Sequence, residues 1–400
     1  HVRKKNVENV RITKMIFATE KLQHQADRTQ NREVALDVIR ALAAFCVVVN
    51  HSVEALFPLN AEFVGQAAPA TKWLMFMAFT FGRTGVPLFF LLSGYLLLPR
   101  TYDETRIKRF YTHNFLPLLV VWEIWILLYS IFLTWYNATG FNLRQYLFRA
   151  LFLEHAGLPH TWYMPVILSI YLFLPFVAIA LHRIPGKLLA GLLLATYVYL
   201  YIVPAANMML QLYRPDWSVY AQADLSYSGG VYGFYLVLGY VIARYRVQIK
   251  QWLIKPVLRL AVVGCTFLLF VGTALVQIFM YEHGAPYNVW YSYFTLPLLG
   301  NCVFLLLYTV KIPRRIQSMA AVLSRNSFGI YLIHEPILMI LTRGATGNAL
   351  KLVVLSFGIY VVSFALVWGG GALSHMLGVF LCKSKFVSKE NTTYFRQLVM

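Results

Sequence analysis

Arginine 40 and histidine 51 sit eleven residues apart in an apolar run, LDVIRALAAFCVVVNHSVEAL. At 100° per residue that spacing puts them on one helical stripe, about 20° out of line and about 16 Å apart along the axis. Asp37 stands three residues before Arg40 and Glu54 three residues after His51, so each pair can meet along a helix. Ionisable groups are expensive in an apolar segment and mark functional candidates there. An imidazole titrates near neutrality and suits proton transfer, a guanidinium grips oxyanions, and Glu54 can orient the ring. Arg83 and Glu123 fall in the next two apolar runs, at similar depth, which predicts a buried pair between them.

The elements that must position these groups follow from composition. The 400 residues are 59% hydrophobic and 13% charged, against roughly 45–50% and 25% in soluble globular chains. Mean hydropathy is +0.60, which excludes a soluble enzyme. Runs such as residues 258–280 are continuous rather than alternating, so the fold class is all-α, a polytopic integral membrane protein, and not a β-barrel. Apolar runs place about ten transmembrane helices, at residues 34–53, 73–98, 111–135, 163–181, 187–205, 229–244, 257–281, 290–310, 327–342 and 352–381.

The net charge of +19 then reads as topology. With the amino terminus cytoplasmic, 27 of the 35 Lys and Arg fall on that side, six face outward, and Arg40 and Arg83 lie inside spans, as the positive-inside rule requires. Both termini are expected in the cytoplasm. The chain divides into a basic arm (residues 1–33), a membrane domain (34–382) and a tail (383–400). No extramembrane stretch is long enough for a basic nucleic-acid-binding domain, so no nucleic-acid partner is expected. Cys46, Cys265, Cys302 and Cys382 lack paired spacing; they read as small buried packing residues rather than a disulfide framework or a zinc site, and no metal is expected. The two longer outward loops, 136–161 and 206–228, mix aromatic, amide and charged residues in a way that suits sugars.

Four ordered motifs carry a resemblance to a known family. Leu36-Asp37-Val-Ile-Arg40-Ala-Leu-Ala-Ala, ending in Asn50-His51-Ser52, resembles the opening span of the membrane acyltransferase-3 family. Gly85-Val-Pro87-Leu-Phe-Phe-Leu-Leu-Ser93-Gly94-Tyr95 is similar to its second-span motif. His160-Thr-Trp162-Tyr163-Met-Pro165 is similar to the entry to its fourth, and Ser327-Phe-Gly329-Ile-Tyr331-Leu-Ile-His334 to its late-span motif. Within the family the chain most resembles single-module O-acetyltransferases of surface polysaccharides and lipid-linked oligosaccharides, such as that of enterobacterial common antigen.

The resemblance implies transfer of an acetyl group from cytoplasmic acetyl-CoA to a sugar hydroxyl in a bacterial inner membrane. It assigns catalysis to His51 as general base, with Glu54 and Arg40. Contacts to the acyl-CoA fall to Asp37, Arg83, Arg106, Lys108, Arg109 and Trp162, and contacts to the saccharide acceptor to Tyr163, His160 and His334. One departure stands out. The family's Arg-x-x-Arg motif before a proline is met here only by Arg106 and Arg109, several residues early, and His113 or Asn114 takes the place of the second arginine. An acyl-histidine intermediate is the rival route within the same chemistry. An exporter or flippase of a polysaccharide intermediate is the alternative function, since it too would carry intramembrane charges and aromatic loops.

Overall fold

The computed structural model describes residues 33–214, 216–219, 225, 229–345 and 347–383. Every regular element among them is helical. The principal helices are α1 (Val34–Leu56), α2 (Pro69–Arg83), α3 (Gly85–Leu97), α4 (Leu116–Tyr136), α5 (Tyr163–Arg183), α6 (Gly186–Tyr197), α7 (Val203–Tyr213), α8 (Gly230–Arg244), α9 (Pro256–Glu282), α10 (Thr295–Thr309), α11 (Arg314–Leu341) and α12 (Ala349–Lys383). Among the described residues seven helical segments are long and apolar enough to cross a membrane: α1, α2 with α3, Glu104–Tyr136, Pro159–Arg183, Gly186–Tyr213, α9 and Ala349–Gly371.

Three of the ten expected spans fall short of that measure. Helices α8 and α10 are apolar but have 15 residues each, about 22 Å of helix against a hydrocarbon core of about 30 Å. The run expected at 290–310 begins as helix only at Thr295, and the run at 327–342 is the second half of α11, whose first half carries Arg314, Arg315 and Arg325. The basic arm and the tail lie outside the described residues except at their inner ends. There Glu33 is anchored, its carboxylate accepting from the phenols of Tyr95 at 2.6 Å and Tyr308 at 3.1 Å.

Prolines explain the interruptions. Phe57 is extended and precedes Pro58, which closes α1. Pro87 lacks the N–H that would reach the Arg83 carbonyl, and the segment breaks there into α2 and α3 in mid-span. Widened π turns at Tyr111–Phe115 and Val198–Ile202 run up to Pro117 and Pro204, absorbing the missing bonds.

Helix α1 is the hub. It packs against α2, α3, α10, α11 and α12, and fifteen of its residues are buried, whereas α4, α6, α9 and α12 turn Ile124, Leu192, Leu260 and Val354 outward. Lipid tails are as apolar as leucine, so helices associate through close packing and polar contacts rather than hydrophobic burial. Gly94 and Gly239 meet the backbone carbonyls of Leu236 and Leu91 reciprocally across α3 and α8, at a distance that leaves no room for a Cβ. Gln277 donates to Thr80 at 3.0 Å, and the Thr273 and Thr295 hydroxyls meet at 2.6 Å; such bonds contribute about 0.6 kcal/mol each. Of the cysteines, Cys46 is buried, but Cys265 is exposed on α9 and Cys302 half-buried, so the expectation of buried packing holds for Cys46 and fails for Cys265.

Candidate active site

The stripe on α1 forms as its spacing requires. His51 Nδ1 lies 2.8 Å from Glu54 Oε2, one turn along the helix. The other oxygen of Glu54 accepts from Arg83 at 2.9 Å, and Arg83 donates to the Tyr291 hydroxyl at 3.2 Å. The Arg83 guanidinium lies over the rings of Phe79 and Trp290, 4.5 and 4.6 Å from their centroids. A buried arginine is thus paired, hydrogen-bonded and stacked, the combination that offsets its desolvation. Its partner is Glu54, not Glu123. Glu123 sits half-exposed on α4, because the rotation of α4 points that position away from the bundle centre.

A second cluster closes on His51 from α11 and from the turn Pro159–Trp162. The rings of His51, His160 and His334 lie within 5.0–6.3 Å of one another, centroid to centroid. Pro336 on α11 removes the N–H that would bond the Leu332 carbonyl. The Tyr129 phenol donates to that carbonyl at 2.6 Å and, its proton spent, accepts from His160 Nε2 at 3.0 Å. The Tyr331 phenol donates to the His160 carbonyl at 2.8 Å. His334 Nδ1 donates to the Tyr331 carbonyl at 2.7 Å, leaving Nε2 as a buried lone pair 3.8 Å from Glu335 Oε2. The same carboxylate oxygen is 3.7 Å from His51 Nδ1. The hydrogen bonds of His160 and His334 fix their tautomers, whereas His51 Nδ1 faces the Glu54 carboxylate as an ion-pair contact at 2.8 Å.

A narrow cavity lies beside His51, lined by Asn50, Val47, Val86, Trp162, Tyr163 and Tyr291 among others. Gly82 lines it too and lets α2 approach α1 at Asn50, where a Cβ would stand 2.6 Å from the Asn50 Cα. Trp162 packs in an aromatic group with Tyr232, Trp290 and Tyr291, centroids 5.2–5.5 Å apart. His51, Glu335 and His334 offer three donor atoms within 4.8 Å of one another, the one grouping of metal-ligating type among the described residues.

The remaining sequence-predicted residues lie elsewhere. Arg40 donates to Ser324 Oγ at 3.0 Å, and Asp37 is 3.9 Å from it, both toward the other end of α1. Arg106, Lys108 and Arg109 are exposed on the short helix Glu104–Phe110, where Arg106 is held by Asp103 and Thr101. The structure brings together His51, Glu54, Arg83, His160, Trp162, Tyr163 and His334, and leaves the cationic group apart from them. Sequence reasoning missed Glu335, Tyr129 and Tyr291. Glu335 had a signal, being a carboxylate in the apolar run beside His334; the two tyrosines are indistinguishable from other aromatics in their runs.

A family model described as an acyltransferase domain matches residues 33–370. Neither the curated proteins nor the solved structures contain a match. The matched span takes in α1, the broken α2 and α3, the His160 turn and α11, and so every member of the histidine and carboxylate cluster. With its seven candidate spans and a match over most of its length, the chain is a multi-pass membrane protein that belongs to the acyltransferase-3 family.

Proposed function

We propose that this protein is an O-acyltransferase of the bacterial inner membrane that moves an acetyl group from cytoplasmic acetyl-CoA to a hydroxyl of a surface polysaccharide or lipid-linked sugar. About ten spans with both termini in the cytoplasm accompany this reading, α8, α10 and the second half of α11 completing the set. The observation that carries it is the chain of contacts Arg83–Glu54–His51, with the His51 imidazole at the wall of a narrow cavity.

The acceptor hydroxyl gives its proton to His51 Nε2 as its oxygen attacks the thioester carbonyl. Glu54, held by Arg83, stabilises the imidazolium that forms, and Glu335 adds a second negative charge within 3.7 Å. The phenol of Tyr163, which lines the cavity, is the donor facing the developing oxyanion. When the tetrahedral centre collapses, the C–S bond breaks and His51 returns the proton to the departing thiolate. Arg40, about 16 Å down the helix, receives the phosphates of the nucleotide, with Arg106, Lys108 and Arg109 as the outlying cations. Acetyl suits the narrowness of the cavity between Val47, Val86 and Gly82.

The test is turnover of radiolabelled acetyl-CoA by purified protein in detergent, with and without a membrane glycolipid extract. Release or transfer of label, with butyryl-CoA at least tenfold slower, is expected. A protein that neither binds nor consumes acetyl-CoA in the presence of the extract rejects this function in favour of export.

A further inference from the structure

A second, wider cavity lies beside the first. It is an open cavity of about 310 Å³ against about 10 Å³ for the cavity at His51, at the lower end of the usual range of ligand sites. Its walls are the last turns of α4, the connection at residues 137–142 and the short helix Leu143–Ala150, with Gly157 at its edge. This is the end of the bundle toward which α1 carries His51. The Tyr136 phenol donates to the Met339 carbonyl and Arg343 lies over the Tyr136 ring, while Gly347, four residues on, meets the Leu56 carbonyl at the end of α1.

The lining is chemically specific. Ser130 and Thr134 contribute hydroxyls, Asn137, Asn142 and Gln145 amides, and Arg149 a guanidinium; among the described residues no acidic side chain and no lysine lines the cavity. Ser130 is 6% exposed and its Oγ has no hydrogen-bond partner, and the buried Nε of Arg149 has none either. Buried polar atoms of this kind are normally satisfied, and here both belong to residues that line one cavity. Asn142 Oδ1 caps the short helix by accepting from the Gln145 amide, and Gln145 Nε2 is bonded to Glu154, which leaves Asn142 Nδ2 to donate and Gln145 Oε1 to accept. Ala138, between Asn137 and Thr139, is in the left-handed region at φ 52°, a conformation costly for a side-chain-bearing residue and concentrated at functional sites. A phosphate-rich ligand would need more than one cation. Paired donors and acceptors around one guanidinium, with the Phe141 ring at the wall, match a polyhydroxylated ring.

The two cavities are linked through neighbouring residues. Ser130 follows Tyr129, whose phenol bonds His160, and His160 lines the cavity at His51. Resting on the acyl-transfer reading for its purpose, we propose that this pocket is a saccharide subsite that anchors the acceptor, the reacting hydroxyl being carried on an adjoining ring toward His51.

Diazirine derivatives of methyl glucoside, methyl galactoside and methyl N-acetylglucosaminide test it directly on the full-length protein in detergent, with labelled peptides mapped by mass spectrometry. Label is expected between residues 129 and 157. It should fall at least fivefold in Ser130→Val and in Arg149→Gln proteins that melt within 2–3 °C of wild type, roughly the shift of a sub-kcal change, and persist in His51→Ala. Absence of label from that segment with all three probes, or label indifferent to both substitutions, overturns the subsite. A wild type that labels there yet leaves acetyl-CoA untouched retains the saccharide site and refutes the transfer reading instead.

Discussion

His51 and Glu54, one turn apart on α1, are joined from Nδ1 to Oε2 at 2.8 Å, and the free oxygen of Glu54 is held by Arg83 at 2.9 Å. The first contact is local to one helix, whereas the second ties α1 to the end of α2 at its mid-span break. The break therefore sets the position of the His51 ring: if Arg83 moves, Glu54 loses its anchor and the ring its ion-pair partner.

Replacing either partner should separate chemistry from binding. Glu54→Gln keeps the shape of the side chain but removes the charge opposite the imidazolium, and a loss of about a hundredfold in kcat with little change in KM for acetyl-CoA is expected. Arg83→Met leaves a largely buried carboxylate short of its cation, with an expected loss of about 3 kcal/mol of stability. Steady-state kinetics and thermal melts of the two variants and their double mutant check both; strictly additive effects would argue against the relay.

Gly82→Ala tests the close approach of α2 to α1. The added Cβ would stand 2.6 Å from the Asn50 Cα, so the helices must part by about an ångström. A stability loss of about 2 kcal/mol is expected, together with about a hundredfold loss of turnover from displacing His51. Gly191→Ala, with nothing within 4 Å of its new Cβ, is the matched control and should be silent in both assays.

Glu335 is the carboxylate the motifs did not single out. It lies 3.7 Å from His51 and 3.8 Å from His334, 5% exposed, with one oxygen lacking a hydrogen bond. As the amide Glu335→Gln it would no longer stabilise the imidazolium. Turnover should fall about tenfold, equivalent to about 1.4 kcal/mol of transition-state stabilisation, while the melting temperature holds or rises because an under-satisfied buried carboxylate is gone. Wild-type turnover in a folded Glu335→Gln protein would assign Glu335 to packing alone.

Much of this site was legible because helix geometry is periodic. The spacings Arg40 to His51 and His51 to Glu54 fix their faces in any α-helix, and both pairings along α1 are observed. The Arg83–Glu123 expectation failed because depth in the bilayer does not specify the rotation of one helix against another; Glu54 was equally deep and faced the right way. The same rule that singled out Arg83 also applied to Glu335, hidden in the sequence by its neighbour His334. Tyr129 owes its place to Pro336, two hundred residues away, whose missing N–H frees the Leu332 carbonyl. No local pattern encodes that meeting. The count of spans was readable only to within the short helices, since α8 and α10 have 15 residues each and the first half of α11 carries three arginines.

In the proposed mechanism His51 Nε2 is the base. The most direct measurement is single-turnover consumption of radiolabelled acetyl-CoA by wild type and His51→Ala, each shown to bind acetyl-CoA and to melt alike. Loss of at least a hundredfold in the variant, with donor affinity within about twofold, is the predicted result and lies within the usual contribution of a general base. Undiminished turnover in a folded His51→Ala protein would contradict the account.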